Sequence, residues 1–480
     1  MRRLPGLAFD NSYARLPQAF YEVIEPTPLP DPYLVAWNPG AAALLDLDPD
    51  EGRNPDLPLH LAGAKRLPGS EPIAQVYAGH QFGVWVPRLG DGRAFLLGEI
   101  RNSLGESWDL HLKGGGQTRF SRGGDGRSVL RSAIREYLAG EALHALGIPT
   151  TRALAIAGSD FPIQRETVET AATLLRLSPS HVRFGTFQYF AARGETNRVR
   201  ELADYVMRRH LPAVGERDRP HAALFHEIAT RTGGLVARWM AAGFCHGVLN
   251  TDNMSVLGLT LDFGPYGFLD EFDAGHICNH SDPEGRYAWD RQPAVGLWNL
   301  ARLGEALLPL IEIEEAQEAL ERYRSEFAET YGGLMRARLG LAEVREEDTA
   351  LVRDLLGVMQ ASRADYTRTL RALERDVTFL AELGDSDAAR SWLERYRARL
   401  GLEGVSEASR SASIRSANPV YVLRNWMAEE AIELARAKDF SRIEELRRLL
   451  ADPFTEQAGA ERYAAAPPGW ARDVAVSCSS

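Results

Sequence analysis

Apolar positions along this chain change their spacing twice. Over the first 70 residues they are scattered among prolines, with Pro26, Pro28, Pro30 and Pro32 followed by Asn54-Pro55. That pattern predicts an irregular extension draped over a domain. From Ile73 to Lys113 they gather into short strand-like runs. Val84-Trp85-Val86-Pro87-Arg88-Leu89 and Arg93-Ala94-Phe95-Leu96-Leu97 flank Gly90-Asp91-Gly92, and an Asp-Gly pair between apolar runs predicts a hairpin. Trp108-Asp109-Leu110-His111-Leu112 predicts a further strand, which Lys113 ends. A Gly- and Arg-rich loop, 114–126, leads into a helix expected from about Arg127 to Leu146, closed by Gly147 and Pro149.

Beyond residue 185 helical spacing dominates. Leu320, Tyr323, Phe327, Tyr331 and Leu334 recur at intervals of three and four. Asn418-Pro419 reads as an N-cap followed by proline at the first helical position, opening a helix with Val420, Leu423, Met427, Ala431 and Leu434 on one face. The chain therefore divides into an extension (1–70), a strand-rich N-lobe with one prominent helix (71–185), and a helical C-lobe ending in a tail (186–480). This is an α+β, bilobal layout.

Composition narrows the classes. With 480 residues, 45% of them hydrophobic and 25% charged, the chain can bury a substantial core. A net charge of −11 argues against a general nucleic-acid binder. No apolar run approaches the roughly 18 residues of a membrane helix. Met1-Arg2-Arg3 is followed by Asp10, Asn11 and Arg15 with no apolar stretch between, so no secretory signal is expected. Three cysteines exclude a disulfide-built scaffold. The expectation is a cytoplasmic protein with neither nucleic-acid nor membrane partners. Of 55 basic residues only Lys65, Lys113 and Lys438 are lysines, an Arg-for-Lys bias that suggests a GC-rich bacterial genome. Lys113, at the end of a strand and before three glycines, stands out against it.

Chemistry enters with the 127–146 helix. Val129, Ala133, Glu136, Gly140 and Leu143 share one face, so a carboxylate sits in an otherwise apolar or small stripe. Either Glu136 snorkels to water or it is buried with a cationic partner, for which Lys113 is the candidate. A strand lysine paired to a helix glutamate is how protein kinases hold ATP phosphates. Further on, His246-Gly247-Val248-Leu249-Asn250-Thr251-Asp252-Asn253 precedes Leu261-Asp262-Phe263-Gly264. Kinases carry H-R-D-x-x-x-x-N and then D-F-G, whose Asn and second Asp bind magnesium. His246, Asn253 and Asp262 fall in that register, but Val248 stands where the catalytic Asp belongs. Valine can neither orient nor deprotonate a hydroxyl, and Asp252 is the nearby carboxylate that could substitute. At this point a kinase with a displaced base and a non-catalytic nucleotide-binding scaffold both remain open.

These residues and their surroundings resemble the selenoprotein O (SelO/YdiU) family. The resemblance runs through Tyr77-Ala78-Gly79-His80-Gln81-Phe82-Gly83, Leu89-Gly90-Asp91-Gly92-Arg93-Ala94 and Lys113-Gly114-Gly115-Gly116. It continues through Ser121-Arg122-Gly123-Gly124-Asp125-Gly126-Arg127, Ser180-His181-Val182-Arg183-Phe184-Gly185, the 246–264 segment and Cys278-Asn279-His280-Ser281-Asp282. It implies a protein-kinase-like bilobal fold with an N-terminal extension and an enlarged helical C-lobe, a pseudokinase turned nucleotidyltransferase. Such proteins bind ATP inverted and move AMP to a Ser, Thr or Tyr hydroxyl of a protein; some use UTP. The resemblance assigns Asp252 as proton acceptor, Asn253 and Asp262 to Mg2+ or Mn2+, and Glu136 to orienting Lys113. Gly90, Gly92, Arg93, Lys113, Asp125, Gly126, Arg176, Arg183 and Asp262 fall at its nucleotide-contact positions. It also implies a redox pair. Cys478, in the tail, stands where eukaryotic members carry selenocysteine, and Cys278 lies where an activation loop would run. In a reducing cytosol a bond between them would be labile and regulatory.

Overall fold

The computed structural model describes residues 2–477. Its centre is an antiparallel sheet whose strands lie in the spatial order Tyr21–Val23, Ile73–Gln75, Ala94–Arg101, Ser107–Lys113, Val168–Ser178, Arg152–Gln164 and Tyr33–Trp37. The short strand Ser128–Val129 pairs off this path with Val168–Ser178. Both edges of the sheet come from the first 70 residues. That segment also covers one sheet face, where Leu4, Leu7, Leu45, Leu57 and Leu61 bury Phe95, Leu97, Leu110, Leu112, Leu154, Leu175 and Leu177. With both faces covered, side chains of the central strands are sorted by the strand period of two: Leu110, Leu112, Leu175 and Leu177 go to the outer core, while His111, Lys113 and Arg176 are buried on the opposite face.

The opposite face carries the helix Leu130–Ala145, the one foreseen at 127–146, and its core runs on into the helical part. There the long helices Pro220–Ala242 and Ile313–Arg338 lie against each other. The second contains all five residues of the 320–334 stripe. The architecture is α+β.

Two local expectations are overturned. Val84–Val86 does not pair across Gly90-Asp91-Gly92 with the strand beginning at Ala94. It pairs with Gly79–Gln81 in a separate hairpin, turning at Phe82-Gly83, both at positive φ (50° and 79°). Asp91 is unavailable for a hairpin turn because its carboxylate accepts the Gln75 N–H at 3.0 Å. Nor does Asn418-Pro419 open a helix. Asn418 closes the helix Glu407–Ala417, donating its amide to the Arg338 and Ile414 carbonyls at 2.8 and 2.9 Å, and the next helix is Asn425–Arg436.

Candidate active site

Strand alternation sets the first part of the site. In the register of the two central strands Lys113 lies opposite Leu174 and His111 opposite Arg176. Leu175 and Leu177 belong to the outer core, so Arg176 between them projects to the other face, where the Leu130–Ala145 helix brings Glu136. Glu136 is 2% exposed, which decides for the buried carboxylate over the snorkelling one. Lys113 Nζ donates to its Oε2 at 2.6 Å, and the Arg176 guanidinium grips it through both Nε and NH2. Burial alone would raise the Glu136 pKa, but Arg176 and Lys113 outweigh it and hold the carboxyl below its ordinary value. The same burial pulls the Lys113 ammonium down to about 8, with Glu136 opposing and Arg176 and Arg93 assisting.

The 246–264 segment supplies the other half. His246 is buried and kept neutral by desolvation; its Nε2–H donates to the Leu261 carbonyl at 2.9 Å and Nδ1 accepts the Val248 N–H at 3.4 Å. The ring thus ties the two motif pieces together. Asn253 donates its amide to the main-chain carbonyl of Val248 at 3.0 Å, which leaves its Oδ1 as the donor oxygen for a ligand. Asp262 sits in the left-handed region at φ 55°. Arg176 NH1 lies 2.8 Å from one of its oxygens and Arg183 NH1 grips the other. Against the effect of burial, Arg183 and Arg176 hold the Asp262 carboxyl well below the usual range.

Asp252 is treated in the opposite way. Among the described residues no cationic side chain pairs with its carboxylate. Oδ2 accepts the neutral amide of Gln81 at 3.1 Å, and Oδ1 is buried without a hydrogen-bond partner among the described residues. Burial pushes its pKa up to about 6, against the lowering effect of Gln81 and Arg183. Two carboxylates in one site, one locked as an anion and one poised near neutrality, are suited to different roles.

Both halves face one cavity of about 550 Å³. Its walls include Gly90, Gly92, Arg93, Lys113, Asp125, Gly126, Arg176, Arg183, Asp252, Asn253 and Asp262, so every predicted nucleotide, metal and base position comes together. Gly126 (φ 71°) packs directly on the Gly116 carbonyl, where a Cβ would come within 2.1 Å. Asp125 is not a free acceptor, since Arg165 pairs with both its oxygens at 2.7 and 3.0 Å. Arg93 makes no ion pair among the described residues. Tyr77, Gln81, Asp91, His111 and Asn250 also line the cavity without having been singled out. Gln81 was visible inside the quoted 77–83 motif, but nothing in its residue type announced a role.

Asn253 and Asp262 together offer one amide and one carboxylate oxygen, a hard-donor set that fits Mg2+ or Mn2+ once phosphate oxygens complete the shell. Among the described residues no three His, Cys, Asp or Glu side chains gather into a metal cage. Cys278 is buried, its Sγ 3.2 Å from Cys245 Sγ and donating to the Pro265 carbonyl at 2.8 Å. Burial and the Cys245 thiol keep its pKa well above the ordinary value. Cys478 lies outside the described residues. The described tail approaches the Cys278 loop where His280 N–H donates to the Val476 carbonyl at 2.9 Å.

A cleft lined by lysine and arginine between a sheet and a loop suits an anionic ligand such as the phosphates of a nucleotide. Residues 4–451 match the protein-family model described as protein adenylyltransferase SelO. Proteins named protein nucleotidyltransferase YdiU are similar over their whole length and that of this chain. Those of Myxococcus xanthus and Thioalkalivibrio sulfidiphilus are both 55% identical, and that of Thiobacillus denitrificans is 51% identical. The chain belongs to the SelO family, and is a nucleotidyltransferase that takes a nucleotide as substrate. Among the described residues no helix is long and apolar enough to cross a membrane.

Proposed function

We propose that this chain transfers the AMP group of ATP to Ser, Thr or Tyr hydroxyls of other proteins and releases pyrophosphate. The observation that carries the reading is Asp252: a buried carboxylate with one oxygen unpartnered among the described residues, sharing a cavity with Lys113, Arg93, Arg176 and Arg183. That cluster matches the charge of a β,γ-pyrophosphate leaving group better than that of an adenosine moiety. The nucleotide therefore lies with its β- and γ-phosphates on the cations and its α-phosphate toward Asp252. Asp252 accepts the proton of the acceptor hydroxyl as that oxygen bonds to the α-phosphorus. The bond from the α-phosphorus to the bridging oxygen breaks, and the electron pair leaves with pyrophosphate. Lys113, fixed by Glu136, together with Arg176 and Arg183 neutralises the charge that grows there.

Asn253 and Asp262 would hold a Mg2+ or Mn2+ ion, which would supply charge neutralisation to the phosphates. Val248 offers no proton acceptor, and this weighs against γ-phosphoryl transfer. The Lys113–Glu136 pair and the Asp262-Phe263-Gly264 turn support a kinase-like arrangement of the two lobes. The test is paired labelling with ATP carrying label at the α- or the γ-phosphate, with a UTP arm. The expected result is α-label on protein and none from the γ-position. Label from the γ-position alone overturns the reading in favour of a kinase, and transfer from UTP alone overturns ATP as the donor.

A further inference from the structure

The Gly79–Gln81/Val84–Val86 hairpin is clamped onto the catalytic segment at three successive residues. His80 N–H donates to Thr251 Oγ1 at 2.7 Å, Gln81 Nε2 to Asp252 Oδ2 at 3.1 Å, and Phe82 N–H to Asn250 Oδ1 at 3.1 Å. Gly79 lies against Asp252 itself. A Cβ there would come within 2.7 Å of Oδ1 and 3.0 Å of the Asp252 Cβ. Phe82 holds a left-handed conformation (φ 50°) that a bulky side chain rarely adopts. Its N–H, shared between Asn250 and the Tyr287 hydroxyl at 2.9 Å, fixes it there. Backbone strain kept in place by several contacts at a reactive group is a mark of function.

From this geometry we infer that Gln81 is a positioning residue for the transfer reaction: its amide holds Asp252 Oδ2 while Gly79 closes over Oδ1, and together they fix the orientation of the carboxylate. The inference rests on the nucleotidyl-transfer reading and deepens it. The carboxylate can rotate about its Cβ–Cγ bond, and among the described residues Gln81 provides the one side-chain hydrogen bond that stops it, Oδ1 having no partner there. A neutral amide suits this task. It orients the anion without pairing it to a cation, as Arg176 and Arg183 pair Asp262. Glutamine also has the reach that this position requires, since the backbone of residue 81 belongs to the hairpin and not to the catalytic loop.

The test uses the full chain with Gln81→Ala and Gln81→Met, the second close to glutamine in length but without the donor. Transfer of α-label should show kcat lowered roughly 10- to 100-fold in both variants, the scale of a displaced catalytic group. Affinity for a non-hydrolysable ATP analogue and the melting temperature should stay at wild-type values. In an Asp252→Ala background neither substitution should lower the residual rate further, because Gln81 acts through that carboxylate. Wild-type kcat in Gln81→Met, or losses that multiply with Asp252→Ala, would overturn the role of Gln81 while leaving the transfer reading intact. A wild-type chain that moves no α-label overturns the transfer reading, and the role of Gln81 with it.

Discussion

Arg176 lies 2.8 Å from Asp262 while the rest of its guanidinium holds Glu136. The carboxylate assigned to the metal is therefore already neutralised by protein, by Arg176 on one oxygen and Arg183 on the other. A divalent cation approaching Asp262 meets two guanidiniums, and a triphosphate that draws them away makes room for it. Metal and nucleotide should thus bind with positive coupling, each raising the affinity for the other by the same factor. Titration of Mn2+ by calorimetry should be weak for the free protein and at least about tenfold tighter with a non-hydrolysable ATP analogue, a coupling within the usual 5- to 150-fold range. Arg183→Ala should tighten metal binding to the free protein while weakening the analogue. Equal Mn2+ affinity with and without nucleotide would contradict the exchange.

The two aspartates should fail differently. Asp262→Ala should abolish metal-dependent nucleotide binding and transfer together. Asp252→Ala should lower kcat about 100- to 10,000-fold, the usual range for a lost general base, with nucleotide affinity kept within a few-fold. Parallel loss of binding in both variants, read by calorimetry, would make Asp252 a ligand.

Among the described residues Glu136 is the sole carboxylate paired with Lys113, and it shares Arg176 with Asp262. Glu136→Ala leaves buried cations uncompensated and should cost about 3–5 kcal/mol in urea unfolding, more than a surface ion pair could account for. Glu136→Gln, which keeps the shape, should still lose several-fold in nucleotide affinity. A change below about 1 kcal/mol in Glu136→Ala would show that the cations reorganise into water.

Lys113 gives the site a pH limit. Its ammonium is charged below about 8 and neutral above. Nucleotide affinity of the wild type should therefore fall as pH rises through 8 to 9, and Lys113→Arg should flatten that fall while lowering affinity at pH 7, because a fork does not replace a point charge against Glu136. The sign for folding is opposite. With a folded pKa below the ordinary 10.5, charging this amine opposes the fold, so its contribution to stability improves between pH 8 and 10.5. A pH-independent affinity across 7–9.5 would exclude the effect.

The proposed redox pair has a nearer competitor. Cys245 Sγ lies 3.2 Å from Cys278 Sγ, whereas the tail is fixed near this loop through the His280–Val476 hydrogen bond. Non-reducing peptide mapping of oxidised protein should recover 278 joined to 478, and Cys478→Ser should remove any dependence of transfer on reductant. Recovery of 245 joined to 278 in its place would refute the pairing.

Much of the site was legible because its residues act through short motifs whose local spacing survives folding. Lys113 ends a strand and Glu136 interrupts an apolar helix face, and both features are visible in one dimension. What escaped was set by contacts distant in sequence. The hairpin turn went to Phe82-Gly83 and not to Asp91-Gly92, since Asn250 and Tyr287 hold Phe82 in a conformation its own type disfavours, while Asp91 is engaged by Gln75. The strands at 21–23 and 33–37 sit among prolines and gain their order from the sheet edges they complete. Asn418 has the composition of an N-cap, but the Arg338 carbonyl, 80 residues away, claims its amide.

The Asn253 amide is steered by a main-chain carbonyl, that of residue 248, and every amino acid possesses one. Any residue but proline also keeps the N–H that meets His246. Side-chain identity at 248 is thus free to drift under selection without unsettling the Asn253 amide five residues on. A lineage could surrender an acidic group there, abandon the reaction that needed it, and retain the rest of the loop ready for another.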